Sequence, residues 1–316
     1  LRRKRLSHPK KGENMFKFKT PQQIFEIGRV KVGGQPGELP TVLIPSIFYV
    51  GQKIVIDESK GEFNVKEAEE LLNKLEQLSD ITGNPFMLDV VGTTEEAFKK
   101  YIDFIGEATE APFLIDAISP KLRLSASQYV KEIGLVERAV YSSITKGSPP
   151  SELEKIKESK IKAAIILAEN PADNSTEGKV AATEQALARA REAGIEKFLI
   201  DTSIPAFGPD MGSAVRAIYY IKEKFGYPTG VGTGNVVTTC GWVKVNFPKE
   251  VRRGCDAATN AIMQTLGANW LMFGPIERAD YIFPAAAIVD TYILSAMAEL
   301  EIKPLSDKHP VFKVFT

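Results

Sequence analysis

Residues 162–202 read KAAIILAENPADNSTEGKVAATEQALARAREAGIEKFLIDT. An apolar run at 162–168 stops at Glu169-Asn170. A long segment at 176–194 then repeats small and apolar residues at helical spacing and closes on Gly194. A second apolar run at 197–201 ends in Asp201-Thr202. A helix between two strands returns the chain to the same end of a sheet, so the two strands are expected to be parallel.

The same unit recurs from residue 42 to the C-terminus. Strand-like runs at 42–50, 86–91, 112–116, 136–143, 162–168, 197–201, 229–231 and 269–273 alternate with helical segments. The helices are expected at 65–78, 94–106, 125–134, 150–159, 176–194, 210–225, 251–266 and 285–300. In the first, Ala68, Leu71, Leu72 and Leu75 fall on one face. Thr94 is placed to cap the second, with acids just behind it. The strand runs are short and apolar throughout, as parallel strands covered on both faces must be. Eight such units predict a closed (β/α)8 TIM barrel, with a doubly wound sheet as the alternative. Residues 23–33 read as a short hairpin ahead of the barrel.

The chain has 316 residues, room for one barrel of roughly 250 residues with extensions. Residues 15–316 are expected to be a single domain. Residues 1–14 carry six basic side chains and one acid, Glu13, and read as an upstream extension or cloning remnant before a natural start at Met15. Without them, 34 basic and 39 acidic residues remain, a balance poorly suited to nucleic acid. No apolar run reaches the roughly 20 residues of a bilayer span, and Asp290 interrupts the greasiest stretch, 283–297. Two cysteines, Cys240 and Cys255, are too few for a disulfide scaffold or a zinc site and are read as buried small side chains. The two histidines, His8 and His309, lie near opposite ends. Chemistry in the body of the chain therefore falls to carboxylates, amides, hydroxyls and lysines.

In a barrel of this kind the active site lies where the strands end at their C-terminal side. The runs end on Asp89, Asp116, Ser142-Ser143, Glu169-Asn170 and Asp201-Thr202, and the seventh leads into Gly230–Asn235 by way of Gly232-Thr233-Gly234. Any one acid there could simply cap the following helix. Several facing one mouth would repel each other unless a ligand brings donors. A pterin does so through its 2-amino group, N3–H and N8–H. A divalent metal is the competing explanation, weakened by the separation of the acids over different strands. The glycine-rich segment at 230–235 lacks the last glycine of a dinucleotide fingerprint and comes late in the chain, so its glycines are read as allowing close approach to a ligand.

Residues 25–34 and Gln35-Pro36-Gly37-Glu38 through Val42-Leu43-Ile44, with Gly83-Asn84-Pro85, Met87-Leu88-Asp89-Val90-Val91-Gly92 and the 230–235 segment, resemble the H-subunit family of tetrahydromethanopterin S-methyltransferase. The resemblance runs from about Met15 to the C-terminus and implies a barrel of the pterin-binding type. By position it implies that Asp89, Asp116 and Asp201 hold the pterin. Relatives often carry Asn at the end of the fourth strand, where this chain has Ser142 and Ser143. It implies that Asn235 lies near the pterin N5 as the catalytic amide, whereas Glu169 is a binding candidate by position only.

The reaction so implied moves the N5 methyl of methyl-tetrahydromethanopterin to the Co(I) of a corrinoid on a partner subunit. Membrane subunits then deliver it to coenzyme M, coupled to sodium movement. The resemblance further implies a homodimer, cytoplasmic and peripheral to a membrane complex; the lack of histidine and of any compact acidic loop in the body of the chain leads us to expect no protein-bound metal. A soluble corrinoid-protein:tetrahydrofolate methyltransferase and a non-catalytic corrinoid-docking scaffold are the competing readings.

Overall fold

The computed structural model describes residues 17–315 apart from Pro205, Phe207 and Pro209, so the 1–14 extension and His8 lie outside the described residues. The expected N-terminal hairpin is present: β1 (Ile24–Ile27) pairs antiparallel with β2 (Val30–Gly33). β3 (Val42–Ile47) follows, then a second hairpin, β4 (Val55–Asp57) and β5 (Glu62–Phe63), that the sequence pattern did not announce. Next come α1 (Val65–Thr82), β6 (Leu88–Val91), α2 (Glu95–Ala108), β7 (Phe113–Asp116) and α3 (Pro120–Glu132). These lead to β8 (Ala139–Ile144), α4 (Pro150–Ser159), β9 (Ala163–Leu167), α5 (Thr176–Glu192) and β10 (Lys197–Asp201). α6 (Met211–Phe225), β11 (Thr229–Gly232) and two short helices, α7 (Val236–Thr239) and α8 (Gly241–Asn246), precede α9 (Val251–Thr265). β12 (Trp270–Pro275), α10 (Ala279–Ala298) and α11 (Val311–Val314) follow.

The eight expected barrel strands close in the order β10-β11-β12-β3-β6-β7-β8-β9. Every neighbouring pair is parallel. Several boundaries differ from expectation, among them the end of the first barrel strand at Ile47, the end of α1 at Thr82 and three element starts. The fourth barrel strand begins at Ala139, because Val136–Arg138 forms a tight 3-10 turn. That turn is pinned from both sides: Arg138 donates to the carbonyls of Thr109 and Ala111, and the Glu137 carbonyl accepts from the Gly28 amide. α3 begins at Pro120 rather than 125, where proline's fixed φ suits a first turn. α10 begins at Ala279 and runs through Pro284.

Strand side chains alternate between two cores. Leu88, Ile115, Tyr141, Ile166, Ile200, Leu271 and Phe273 pack outward against helix residues such as Phe98, Ile156, Ile218 and Ile282. Val42, Ile44, Met87, Leu114, Val140, Ala163, Ile165, Leu199 and Trp270 form one interior cluster drawn from six barrel strands and, through Met87, from the residue just ahead of β6. Ile27, Val30 and Val32 of the N-terminal hairpin belong to the same cluster, so the hairpin plugs the N-terminal end of the barrel. Lys222 closes that end, donating to Asn269 and to the carbonyl of Gly34.

The strand missing from the interior cluster is β11, and Gly230 explains why. A Cβ on Gly230 would stand 2.2 Å from the Trp270 carbonyl oxygen and 2.3 Å from its ring. The indole thus occupies the volume that a β11 side chain would take.

α10 satisfies the length and apolarity of a membrane span by composition alone, within Ile276–Ala298. Here it packs as the outer helix after β12. Its buried Asp290 accepts from the Thr41 amide (2.9 Å), the Thr41 hydroxyl (2.7 Å), Asn84 (2.7 Å) and Gln264 (3.2 Å), tying the segments before β3 and β6 and the end of α9 to α10. His309 is buried and pushed down to about 4 by desolvation; its Nδ1 accepts from the Val311 amide, so it serves the C-terminal turn as a neutral ring.

The interior packing makes one clear contrast. Gly230→Ala should destabilise the fold by about 2–4 kcal/mol, because the backbone of Trp270 cannot yield. Gly232→Ala, whose Cβ would meet only the Asp201 carboxylate at an ordinary 3.6 Å, should cost under about 1 kcal/mol. Denaturant unfolding of both variants checks this; equal losses would refute the assignment of Gly230 to the Trp270 contact.

Candidate active site

Alternation that turns Leu114 and Val140 into the barrel turns Asp116 and Ser142 into it as well, two residues nearer the mouth. The same phase places Ser46 after Ile44, Asp89 after Met87 and Asp201 after Leu199. The registers agree: Ser46 lies opposite Asp89, Asp116 opposite Ser142, and Asp201 opposite Gly230. The apolar column of the barrel therefore ends in a polar floor made by one residue from each of five strands.

None of the three acids caps a helix. α1, α2 and α5 are capped by the side chains of Asn64, Thr94 and Ser175, with Thr94 in the expected role, and Ser119 stands at the start of α3. The carboxylates are thus free of capping duty.

Asp89 is buried, and only one of its oxygens is used: Oδ2 accepts from the Ser46 hydroxyl at 2.6 Å. Its Oδ1 is buried without a hydrogen-bond partner. Desolvation, and then the charge of Asp116, push its pKa well above the usual carboxylate range. Burial raises Asp116 to about 6, opposed by the Arg123 guanidinium. Arg123 is itself held by the Ala117 carbonyl (2.6 Å) and by Glu152, which also accepts from Tyr141 at 2.6 Å. That network sits between the outer face of β8 and helices α3 and α4, and it fixes the loop that follows Asp116.

On the opposite wall, burial raises Asp201 to about 6. The amides of Ser203 (2.7 Å) and Gly232 and the charge of Lys179 act against that rise. Lys179 was not anticipated. It is buried, donates to the Ser203 carbonyl at 2.8 Å, and feels Asp201, Glu169 and Asp210, while desolvation lowers its own pKa. A signal was present in the sequence: Lys179 stands in register with Ala182, Ala186 and Ala190 on the buried face of α5, where a lysine is out of place. Ser46 was also missed, and it too follows from the period-two pattern of Val42 and Ile44.

The remaining expected residues fall at the rim. Glu169 is exposed, and its link to the site runs through the field it shares with Lys179. Asn170 beside it accepts from Lys146 at 2.6 Å. Asn235 is exposed just beyond β11, at φ −97° and ψ −11°, and its side chain makes no capping bond to α7. It is therefore neither a left-handed turn residue nor a cap, and its amide is free at the mouth. Of the glycines around it, Gly230 makes room for Trp270 and Gly234 packs against Gly274, with a built Cβ only 2.7 Å from the Gly274 Cα. Gly232 alone of the three has room about it, a Cβ there meeting the Asp201 carboxylate at 3.6 Å, so Gly230 and Gly234 answer to packing within the protein and not to a ligand. Cys240 is buried with Val237 and Val243, with Cys255 packed against them, as small apolar side chains. Among the described residues no three His, Cys, Asp or Glu side chains converge as metal ligands.

The arrangement is an acceptor-rich floor of desolvated carboxylates, with the exposed Asn235 just beyond the end of β11. It suits a flat, donor-rich ring better than an anion.

Comparison with known proteins bears on this geometry. The profile of the family described as "Tetrahydromethanopterin S-methyltransferase MtrH subunit" matches residues 20–305. The chain is 39% identical over 311 residues to the H subunit of tetrahydromethanopterin S-methyltransferase from Methanothermobacter thermautotrophicus, covering 95% of this chain and all of that protein. It is 43% identical over 307 residues to the mtx H subunit of Methanosarcina acetivorans, whose name gives its methyltransferase assignment as provisional; the match covers 94% and 99%. Among solved structures, it resembles Yersinia pestis dihydropteroate synthase with a pterine-sulfa conjugate (TM-score 0.60, 14% identity, 86% of this chain and 98% of that one). Xanthomonas albilineans dihydropteroate synthase with 7,8-dihydropteroate is similar in fold (TM-score 0.56, 16% identity, 89% and 99%).

Asp89 offers a test independent of activity. A carboxylate whose pKa is raised on folding contributes its full stability below the unfolded value near 4 and loses it as pH rises through the folded value. Asp89→Asn escapes that loss while keeping an acceptor for Ser46. Its Tm should match the parent near pH 4 and exceed it by about 2–6 °C at pH 7.5. A gap that is absent, or that opens in the acid direction, would contradict the buried-charge assignment.

Proposed function

The chain belongs to the MtrH family of tetrahydromethanopterin S-methyltransferase and is a methyltransferase subunit, and we propose that its polar floor holds the pteridine ring of methyl-tetrahydromethanopterin with the N5 methyl turned to the open mouth. The observation that carries this reading is the buried Oδ1 of Asp89, which has no hydrogen-bond partner within the protein and stands at the polar floor as an acceptor for a ligand donor. Asp89, Asp116 and Asp201 accept from the N–H groups of the ring on different sides, with Ser142 beside Asp116 as a further polar contact. Glu169 stands outside this first ring of contacts and acts on it through Lys179.

The corrinoid of a partner subunit supplies the Co(I) nucleophile that takes the methyl group, so no protein nucleophile is called for. As the N5–CH3 bond breaks, its electron pair stays on N5. Asn235 donates its amide N–H to that growing lone pair, an interaction stronger in the transition state than before it. Rotation of the same amide lets it accept from a protonated N5. The acids keep the ring from sliding while the methyl departs.

Membership of the family brings partner subunits with it. We assign to them the corrinoid carrier and the membrane subunits that pass the methyl on to coenzyme M with sodium movement, with this chain peripheral on the cytoplasmic side. A homodimer is the proposed form.

Two measurements bear on the site. Asp116→Ala and Asp201→Ala should each weaken binding of the methylated pterin by about 2–4 kcal/mol. In the parent, affinity should fall as pH drops through about 6, where both acids take up protons. Unchanged affinity in folded forms of both variants would remove these acids from the site.

For Asn235, single-turnover transfer to cob(I)alamin at saturating pterin should slow by about 10²–10³ in both Asn235→Gly and Asn235→Ala. Binding affinity and Tm should be little changed, since the side chain caps nothing. A near-normal rate in either variant rules out the catalytic role.

A further inference from the structure

A cleft of about 580 Å³ opens beside the mouth, between the segments that follow the first, seventh and eighth barrel strands. Tyr49, Gly51 and Lys53 come from the first, Val237 and Thr238 from the seventh, and Pro275, Glu277 and Arg278 from the eighth, with the start of α9 as the outer wall. The cleft and the catalytic mouth share a partition: Arg278 donates to the Gly234 carbonyl at 2.9 Å, one residue from Asn235.

Five cations and three acids line this cleft, but their pairing is uneven. Glu277 accepts from Tyr49 (2.9 Å) and Gln52 (3.0 Å). Asp256 is met by Arg278 at 3.6 Å and by the Tyr281 hydroxyl at 2.9 Å. Both acids are thus satisfied within the fold, and Glu250, the third, is exposed. Lys53, Lys249, Arg252 and Arg253 form no ion pair among the described residues, and the Nε of Arg252 is buried without a hydrogen-bond partner. Arg253 lies over the Tyr281 ring at 5.8 Å, and the four cations lining one concave surface favour an anion bound among them. The loops after strands seven and eight are also where barrels of this architecture commonly hold phosphate groups.

We propose that this cleft binds the anionic tail of the substrate, the phosphate and carboxylate groups that a methanopterin carries beyond its pteridine ring. The assignment rests on the pterin reading of the mouth. It makes Lys249, Arg252 and Arg253 specificity residues, because a pterin without such a tail leaves them unmatched. A ring on the acid floor, with its methyl near Asn235, can send its tail past the Arg278 partition into the cleft, and the tail's charge offsets cations instead of meeting the buried acids.

The test uses calorimetric titration of the full chain with three ligands: methyl-tetrahydromethanopterin, a methylated tetrahydropterin lacking the tail, and inorganic phosphate. The parent is compared with an Arg252→Gln/Arg253→Gln variant of matched Tm. The expected result is a Kd for the whole substrate raised at least tenfold in the variant, with a shallower salt dependence, while the tail-less pterin binds both proteins alike within twofold. Equal weakening of both pterins, or no weakening of either, overturns the proposal. Equal affinity of the parent for the two pterins, with phosphate binding lost in the variant, means that the cleft takes free anion only and also overturns it. In each of these outcomes the parent still binds pterin, so the reading of the mouth survives. A parent that binds neither pterin overturns that reading and the tail assignment with it.

Discussion

A closed eight-stranded barrel encloses a column of space that side chains must fill, and the chemistry at the mouth depends on how this column is filled. Here the N-terminal hairpin enters from below with Ile27, Val30 and Val32. Trp270 fills the centre, made possible by the bare backbone of Gly230. On five strands the apolar plug stops two residues below the polar floor. Whatever comes next on each strand then stands on a close-packed apolar base. Ser46, Asp89, Asp116, Ser142 and Asp201 occupy that level because the pleat allows no other phase.

Burying three acids on such a floor is unfavourable in the empty protein, and the fold compensates unevenly. Asp201 has two backbone amides and Lys179 nearby. Asp116 has Arg123, steadied from behind by Glu152 and Tyr141. Asp89 has only the Ser46 hydroxyl. The least compensated acid is the deepest, where a ring edge would bring its donors. Strain of this kind exchanges stability for binding, since a carboxylate already stripped of water has little left to lose when the ligand arrives.

Two electrostatic surfaces therefore lie side by side. The floor is negative and desolvated; the neighbouring cleft between the first, seventh and eighth strand segments is positive and open. A ligand with a hydrogen-bond-donating head and an anionic tail can orient itself between them in only one way. Arg278, bonded to the Gly234 carbonyl and paired with Asp256, keeps the two fields apart and holds the segment that carries Asn235.

Much of this could be read from the chain alone. Eight apolar runs separated by amphipathic segments determine a parallel barrel, because parallel strands need crossover helices and must be apolar on both faces. Acids directly after such runs point to the C-terminal strand ends as the candidate site. Boundaries set by distant partners could not be read: Arg138 bends 136–138 into a turn by reaching carbonyls at the end of α2. Lys179 is a helix residue whose role exists only because Ser203 and Asp201 fold over it. Gly230 and Gly234 resembled ligand-facing glycines, yet their neighbours are Trp270 and Gly274, which lie some forty residues away in the chain. The separation between the two kinds of information is physical. Periodicity is local and fixes which face of an element is dry. What a polar or missing side chain does depends on the atoms brought opposite it, and that is decided only when the barrel closes.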